Sequence, residues 1–154
     1  MYTLTGTQPD LAFPITLLSQ YLTCPTQEHF NAVKHVFRYL QGTKNNKLFF
    51  LYGKSLVLEG FTDSNVAACR DTRRSTSGYI FKLGGGTISW RSRKQRSVAT
   101  STLEAEYMAC TQAAKQHIWL KRALTELGYH NIPSALSCDN MGSIDLSENL
   151  RIGD

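Results

Sequence analysis

A run of three glycines, Gly84–Gly86, most constrains the fold, because it separates two segments that are typical of β-strands. These segments, Gly78–Leu83 and Thr87–Arg91, are rich in β-branched and aromatic residues. Glycine accepts the positive φ angles of a tight turn, so the pattern predicts a hairpin of adjacent antiparallel strands. Two apolar runs before it, LFFLY from Leu48 and LVLEGFTD from Leu56, predict two further strands.

A long amphipathic helix is predicted after the hairpin. Ser101 and Glu104 fit the capping-box pattern at its start, and Gly128 ends it. The inward stripe follows steps of three and four residues: Cys110, Ala113, His117, Leu120, Leu124 and Leu127. A short strand, Ala135–Cys138, comes next, and Asn140 can cap a last helix that runs to about Glu148. The predicted order is therefore β-β-β-α-β-α from Leu56 onward, with the LFFLY run as an extra strand before it.

Two helices are predicted before the sheet. Pro9–Asp10 is a start signal for the first, and Pro25–Thr26 provides the start and the cap of the second. The second helix should bury one apolar face and end at Gly42, its inward residues being Phe30, Val33, Phe37 and Leu40. The α/β part of the chain thus carries an N-terminal helical extension.

Composition narrows the class of protein. The chain of 154 residues can bury one core, and no apolar run is long enough to cross a bilayer. The first residues lack a secretory signal, so we expect an intracellular protein without a membrane partner. Cys24, Cys69, Cys110 and Cys138 form no C-x-x-C pair, which favours buried thiols over a zinc site or a disulfide framework. The net charge of +5 is compatible with a polyanionic partner.

Three acidic residues stand where a sheet and a helix could bring them together. Asp63 and Asp139 each end a predicted strand, although a single aspartate there is more often a turn residue or a helix cap. Glu104 and Glu106 differ by about 200° around the helix, so only one can face the sheet. Glu104 has a role in the capping box, which leaves Glu106 as the inward acid. Clustered carboxylates suit Mg²⁺ or Mn²⁺.

The motifs around these acids resemble a known family. F-T-D at 61–63, A-E-Y-M-A at 105–109 and C-D-N at 138–140 resemble the three successive acidic motifs of ribonuclease H. R-R-S-T-S-G-Y at 73–79, G-G-G-T-I-S-W at 84–90 and S-T-L-E-A-E-Y at 101–107 are similar to the ribonuclease H region of copia-type retrotransposon polyproteins. T-G-T-Q-P-D-L-A at 5–12 and H-V-F-R-Y-L-Q-G-T at 35–43 resemble the tail of the preceding reverse transcriptase.

This resemblance implies a ribonuclease H-like α/β fold with a mixed sheet. Residues 1–46 would be the reverse-transcriptase tail, and 47–154 a C-terminally truncated ribonuclease H domain. It further implies that Asp63, Glu106 and Asp139 are catalytic ligands of two Mg²⁺ ions, with Mn²⁺ as a substitute. The implied reaction is hydrolysis of the RNA strand of an RNA/DNA hybrid during reverse transcription. The partners would be the hybrid and the reverse transcriptase of the same polyprotein, in cytoplasmic virus-like particles or the nucleus, with no small-molecule cofactor.

The chain departs from the family pattern in two places. In T-D-S-N-V-A at 62–67, Asn65 and Val66 stand where the family usually has aspartate and tryptophan. The fourth carboxylate is expected in a K-H-I-D-like motif beyond the final R-I-G-D, and Asp154 lies outside such a motif. Reduced activity is therefore expected, and an alternative is a nucleic-acid-binding or connection-like module without turnover. A strand-transfer nuclease is a second rival, which the position of Glu106 on the first long helix argues against.

Basic and hydroxyl residues flank the acidic motifs and predict contacts with nucleic-acid phosphates. Guanidinium, ammonium and hydroxyl groups commonly bind phosphates without reading bases. A charged loop in solvent is the alternative interpretation. The predicted contacts are Arg70, Arg73, Arg74, Ser75, Arg91, Arg93, Lys94, Arg96 and Asn140. Trp90 is predicted to be a core residue rather than a stacking platform. Recognition of a hybrid would depend on its shape, with little sequence preference.

Overall fold

The computed structural model describes residues 6–51, 56–69 and 71–138, and this part of the chain forms an α/β fold with a mixed sheet. The strands are β1 (Leu58–Asn65), β2 (Thr76–Leu83), β3 (Gly86–Lys94) and β4 (Ser134–Cys138). The helices are α1 (Ala12–Leu18), α2 (Gln27–Thr43) and α3 (Thr102–Glu126), and 3-10 turns flank α1 at Pro9–Leu11 and Ser19–Tyr21. The predicted α/β class is confirmed.

The sheet has the strand order β3-β2-β1-β4. β2 pairs antiparallel with both β1 and β3, whereas β4 pairs parallel with β1. A parallel pair needs a crossover connection, and α3 provides it between β3 and β4. The predicted order β-β-β-α-β is therefore confirmed for the hairpin, its preceding strand, the long helix and the short strand. The last predicted helix, from Asn140 to about Glu148, lies outside the described residues.

The glycine run forms the predicted hairpin turn. Gly84 and Gly85 have φ angles of 58° and 82°, a region that other residues rarely adopt. Both strands of the hairpin extend beyond the predicted segments, and β3 continues to Lys94. As a result, Arg93 and Lys94 lie on the strand, beyond its predicted end at Arg91.

The core lies between α3 and one face of the sheet. Leu58 of β1 and Phe81 of β2 are fully buried there, against Ala113, Leu120 and Leu124 of α3. This confirms three members of the predicted helical stripe. The prediction that Leu127 belongs to this stripe is wrong. The helix ends before Leu127 and the chain turns away at Gly128, which leaves Leu127 exposed.

The strand predicted from LFFLY does not form in the described residues 48–51. Phe49 and Phe50 are exposed, and this segment lies against the hairpin turn, where the Leu51 N–H donates to the Gly84 carbonyl. A strand needs a continuous ladder with a neighbour, and a single bond to a turn does not provide one. The apolar run alone misled the prediction because it lacks alternation.

The second predicted helix forms as α2, with Thr26 as its N-cap. The Thr26 hydroxyl accepts the backbone N–H of His29, as predicted for a cap. The predicted buried face is wrong: all of α2 is described, and none of its residues is buried. Phe30 and Phe37 are 55% and 66% exposed. The helix also continues through Gly42 to Thr43, because Gly42 does not adopt the positive φ angle with which a glycine commonly ends a helix.

The N-terminal piece, which comprises α1 and the two 3-10 turns that flank it, packs on the face of the sheet away from α3. Pro9 begins the predicted first helix as a 3-10 turn, and Pro14 is tolerated in the first turn of α1, where its missing N–H would have no partner. The Thr16 hydroxyl donates to the Ser92 carbonyl of β3 over 3.0 Å. Within the described ranges, no helix is both long and apolar enough to span a bilayer.

Candidate active site and nucleic-acid groove

The first turn of α3 separates the two candidate glutamates. The Ser101 hydroxyl accepts the backbone N–H of Glu104, which confirms the predicted N-cap. The Glu104 carboxylate accepts the N–H and the hydroxyl of Thr100, both at 2.6 Å, rather than the predicted N–H of Ser101. These two hydrogen bonds hold the pKa of Glu104 below its ordinary value. Glu104 therefore stabilises the start of the helix.

Glu106 is the inward acid, as predicted. It is only 7% exposed, and its Oε1 accepts a hydrogen bond from the Ser64 hydroxyl over 3.0 Å. Ala105 and Ala109 are buried beside it on α3, and their small side chains let the helix approach β1 closely. A buried carboxylate is costly unless donors or cations surround it, so this position is chemically unusual.

Asp63 lies directly next to Ser64 but on the other side of the strand. Buried and exposed residues alternate along β1, with Thr62 and Ser64 beneath α3 and Asp63 exposed. The Asp63 Oδ1 accepts the Ser64 backbone N–H over 2.7 Å. Ser64 thus binds both carboxylates, one through its hydroxyl and the other through its amide.

Asp139, Asn140 and Arg70 lie outside the described residues. The last described residue of β4, Cys138, pairs with Thr62, the residue before Asp63. The second and third acidic motifs therefore both approach the end of β1 that carries Asp63. Among residues 6–51, 56–69 and 71–138, no three histidine, cysteine or acidic side chains converge as a metal site. Asp63 and Glu106 are two of the three predicted ligands, and their hard oxygen donors suit Mg²⁺.

A cleft of about 660 Å³ opens beside Asp63, between the N-terminal piece and the sheet. Phe13 of α1 lines one wall, and Phe61, Trp90 and Arg91 line the sheet side. Trp90 is half-buried in this cleft, so the predicted core role holds only in part.

A second, smaller groove gathers the predicted basic residues of β3 and the following turn. Its volume is about 320 Å³, and all four cations predicted there line it together with Tyr79 and Gln112: Arg91, Arg93, Lys94 and Arg96. The three arginines are exposed, while Lys94 is half-buried. Arg91 lines both openings, but the groove lies on the α3 side of the sheet, with Met108 and Gln112, whereas the cleft with Asp63 lies on the side of α1.

The predicted phosphate contacts between β1 and β2 include both exposed and buried residues. Arg73 and Arg74 are exposed, but Ser75 is 1% exposed and its hydroxyl accepts the backbone N–H of Ala67 over 3.1 Å. Ser75 therefore holds the loop between β1 and β2 closed, and its burial leaves no access for a phosphate.

Lys94 contacts Cys69, a partner that the sequence did not predict. Its Nζ lies 2.8 Å from the Sγ of Cys69. This contact, followed by hydrogen bonds from Thr72, lowers the pKa of Cys69 to about 6. The two residues are far apart in sequence, so no local pattern could have predicted their contact. The prediction of buried thiols holds for Cys69 and fails for Cys24, which is exposed.

The chain resembles segments of retrotransposon proteins over nearly its whole length. It is 46% identical over 149 residues, 97% of the chain, to the retrovirus-related Pol polyprotein from transposon TNT 1-94 of Nicotiana tabacum, of which it covers 11%. It is 41% identical over 144 residues, 93% of the chain, to the Pol polyprotein from transposon RE2 of Arabidopsis thaliana, of which it covers 10%. The chain thus spans about a tenth of these polyproteins.

A shorter relative matches most of its own length. The chain is 47% identical over 120 residues, 78% of its length, to the secreted RxLR effector protein 161 of Plasmopara viticola, and covers 84% of that protein. No protein-family model and no solved structure matches the chain. The chain therefore belongs to the sequence family formed by this segment of retrotransposon Pol polyproteins and by that effector protein.

Proposed function

We propose that the chain hydrolyses the RNA strand of RNA/DNA hybrids, as the ribonuclease H part of a retrotransposon Pol polyprotein. The observation that carries this proposal is the buried carboxylate of Glu106, bonded to Ser64 immediately beside Asp63. Membership of the Pol family supports a role in a retroelement. The resemblance of the three acidic motifs narrows that role to ribonuclease H.

Asp63, Glu106 and Asp139 are the proposed ligands of two Mg²⁺ or Mn²⁺ ions. When bound, such ions activate a water molecule and stabilise the leaving oxygen of a phosphodiester. Ser64 holds the Glu106 carboxylate in place through its hydroxyl. Asp63 has to leave the Ser64 amide and turn towards Glu106 to share an ion with it, because its side chain lies on the exposed side of β1.

The groove beside β3 fits the phosphate backbone of the hybrid. Arg91, Arg93 and Arg96 expose guanidinium groups there, which bind phosphates without base specificity. Arg91 also lines the cleft with Asp63, so it is the cation proposed to bind a phosphate next to that acid. Lys94 contributes less, since its ammonium group already contacts Cys69. The remainder of the Pol polyprotein, including its reverse transcriptase, is the proposed protein partner.

A cleavage assay tests this proposal. A hybrid with end-labelled RNA should be cut by the chain in the presence of Mn²⁺, and Asp63→Asn should abolish the cutting. Glu59→Gln is the matched control, because Glu59 is another exposed acid on the same side of β1. Cleavage that survives Asp63→Asn would contradict the site, and equal loss in Glu59→Gln would point to a general effect of charge.

A binding module without turnover is the second candidate. The position of Asp63 favours it, because the Asp63 side chain lies on the face of β1 that points away from Glu106. In that case the wild-type chain would bind the hybrid in a salt-sensitive manner without cutting it. Arg93→Ala with Arg96→Ala should weaken this binding for all hybrid sequences alike. Absence of both binding and cleavage would exclude both candidates.

A further inference from the structure

Two cysteines meet where α3 crosses β4. Cys110 lies one turn after Glu106 and three residues before Ala113, both of which are buried against the sheet. Residues at these spacings share one face of a helix, so the Cys110 side chain also points towards the sheet. It is half-buried there.

Cys138 reaches the same place from the sheet. In the parallel register Cys138 pairs with Thr62, and paired residues point to the same face. Thr62 is buried on the face that α3 covers, and Leu136, two residues before Cys138, packs against the core on that face. The Cys138 side chain is therefore directed at α3 and towards Cys110, and burial, followed by the neighbouring Cys138, raises the pKa of the Cys110 thiol.

We propose that Cys110 and Cys138 are a redox-sensitive pair that forms a reversible disulfide between α3 and β4. A low-molecular-weight disulfide such as oxidised glutathione is the oxidant. The thiolate of one cysteine attacks it, which forms a mixed disulfide and releases one glutathione as its thiol. The second cysteine attacks the mixed disulfide and releases the other glutathione, so two protein thiols are oxidised while one disulfide is reduced.

The position of this pair next to the proposed metal ligands predicts an effect of the disulfide on activity. A disulfide brings its two sulfurs to about 2 Å and fixes the dihedral angle between them, so it restrains α3 relative to β4. Glu106 lies one turn from Cys110, and Asp139 directly follows Cys138. If the proposed ribonuclease H function holds, oxidation should therefore lower its rate, because it restrains the two elements that lead to proposed metal ligands.

The other two cysteines are poor competitors for this pairing. Cys69 lies in the loop between β1 and β2, and its Sγ is held by Lys94. Cys24 is exposed in the segment before α2. A variant that carries Cys24→Ser and Cys69→Ser removes both and leaves the α3–β4 pair as the only thiols in the chain.

The experiment treats this double variant with oxidised glutathione and then maps its peptides by mass spectrometry. We expect a cross-linked peptide that joins Cys110 to Cys138, lost on reduction and absent when Cys138→Ser is added. Circular dichroism confirms that the added substitution leaves the fold intact. Stable mixed disulfides with glutathione at both cysteines, or no reaction of the folded protein, would overturn the proposal.

The cleavage assay separates this inference from the proposed function. Cross-linking that lowers cleavage, with recovery on reduction, supports both. A cross-link in a protein without cleavage supports the pair and overturns the proposed hydrolysis. Cleavage unaffected by complete cross-linking overturns the regulatory consequence, and cleavage without any cross-link overturns the pair itself.

Discussion

The helices α2 and α3 show the same spacing of apolar residues in sequence but differ in what they bury. α3 places six side chains in the interior, among them Leu120, Leu124 and Glu106. α2 has 17 residues and buries none of them. The difference teaches that three-and-four periodicity predicts a helix, whereas burial also requires an opposing surface. α3 has the sheet opposite it, while α2 contacts α1 and the 3-10 turns that flank α1.

The largest expected contrast comes from truncating one apolar side chain on each helix. Leu120→Ala in α3 should lower the free energy of unfolding by about 2–5 kcal/mol, because it leaves a cavity beside Leu58 and Phe81. Phe37→Ala in α2 should change it by no more than about 0.5 kcal/mol, because Phe37 is exposed. Urea denaturation followed by circular dichroism measures both. Equal losses would mean that α2 is packed as tightly as α3.

Removal of a polar contact should also lower the free energy of unfolding more at α3 than at α2. Ser64→Ala removes the hydroxyl that donates to the buried Glu106, and hydrogen bonds to charged groups contribute about 1.5–3 kcal/mol. Tyr39→Phe removes an exposed hydrogen bond between α2 and Asp10, and should cost no more than about 0.5 kcal/mol. The same denaturation curves compare the two variants. A Ser64→Ala variant as stable as wild type would argue against a tight contact between α3 and β1.

The smallest expected effect is the pH dependence that α3 gains from His117. Burial against the core, and then the charge of Lys121, lower the pKa of His117 below its ordinary value of 6.5. The unfolded chain therefore binds a proton more readily, and stability should fall as the pH drops below 6.5 and level off below the folded-state pKa. His117→Phe should flatten this decline, whereas Phe37→Ala should keep it. A decline that persists in His117→Phe would assign it to other groups.

The fold was predictable where local pattern and tertiary partner agree. The glycines at 84–86 require a turn whatever surrounds them, so the hairpin was found with its ends only slightly short. Ser101 and Thr26 cap their helices through bonds to residues three positions on, which are local contacts. The strand predicted from LFFLY does not form, because a strand needs a neighbouring strand to pair with. The described residues of that run make one backbone hydrogen bond to the hairpin turn instead.

The candidate site was predictable only in part. Helix phase together with the capping role of Glu104 selected Glu106 as the inward acid, and the burial of Glu106 confirms that choice. The role of Ser64 was not predicted, since a serine beside an acid carries no signal without the helix that packs on it. The burial of Ser75 and the contact between Lys94 and Cys69 were missed for the same reason.

The sequence by itself determined the helices α1–α3 and the strands β1–β4, the caps at Thr26 and Ser101, and which acid of α3 faces inward. These properties follow from bonds and spacings within a few residues. Only the tertiary structure decided that Ser64 joins Asp63 to Glu106, that α2 stays exposed, and that Cys110 meets Cys138. Those contacts join residues far apart along the chain, and their geometry exists only after the sheet and α3 have packed together.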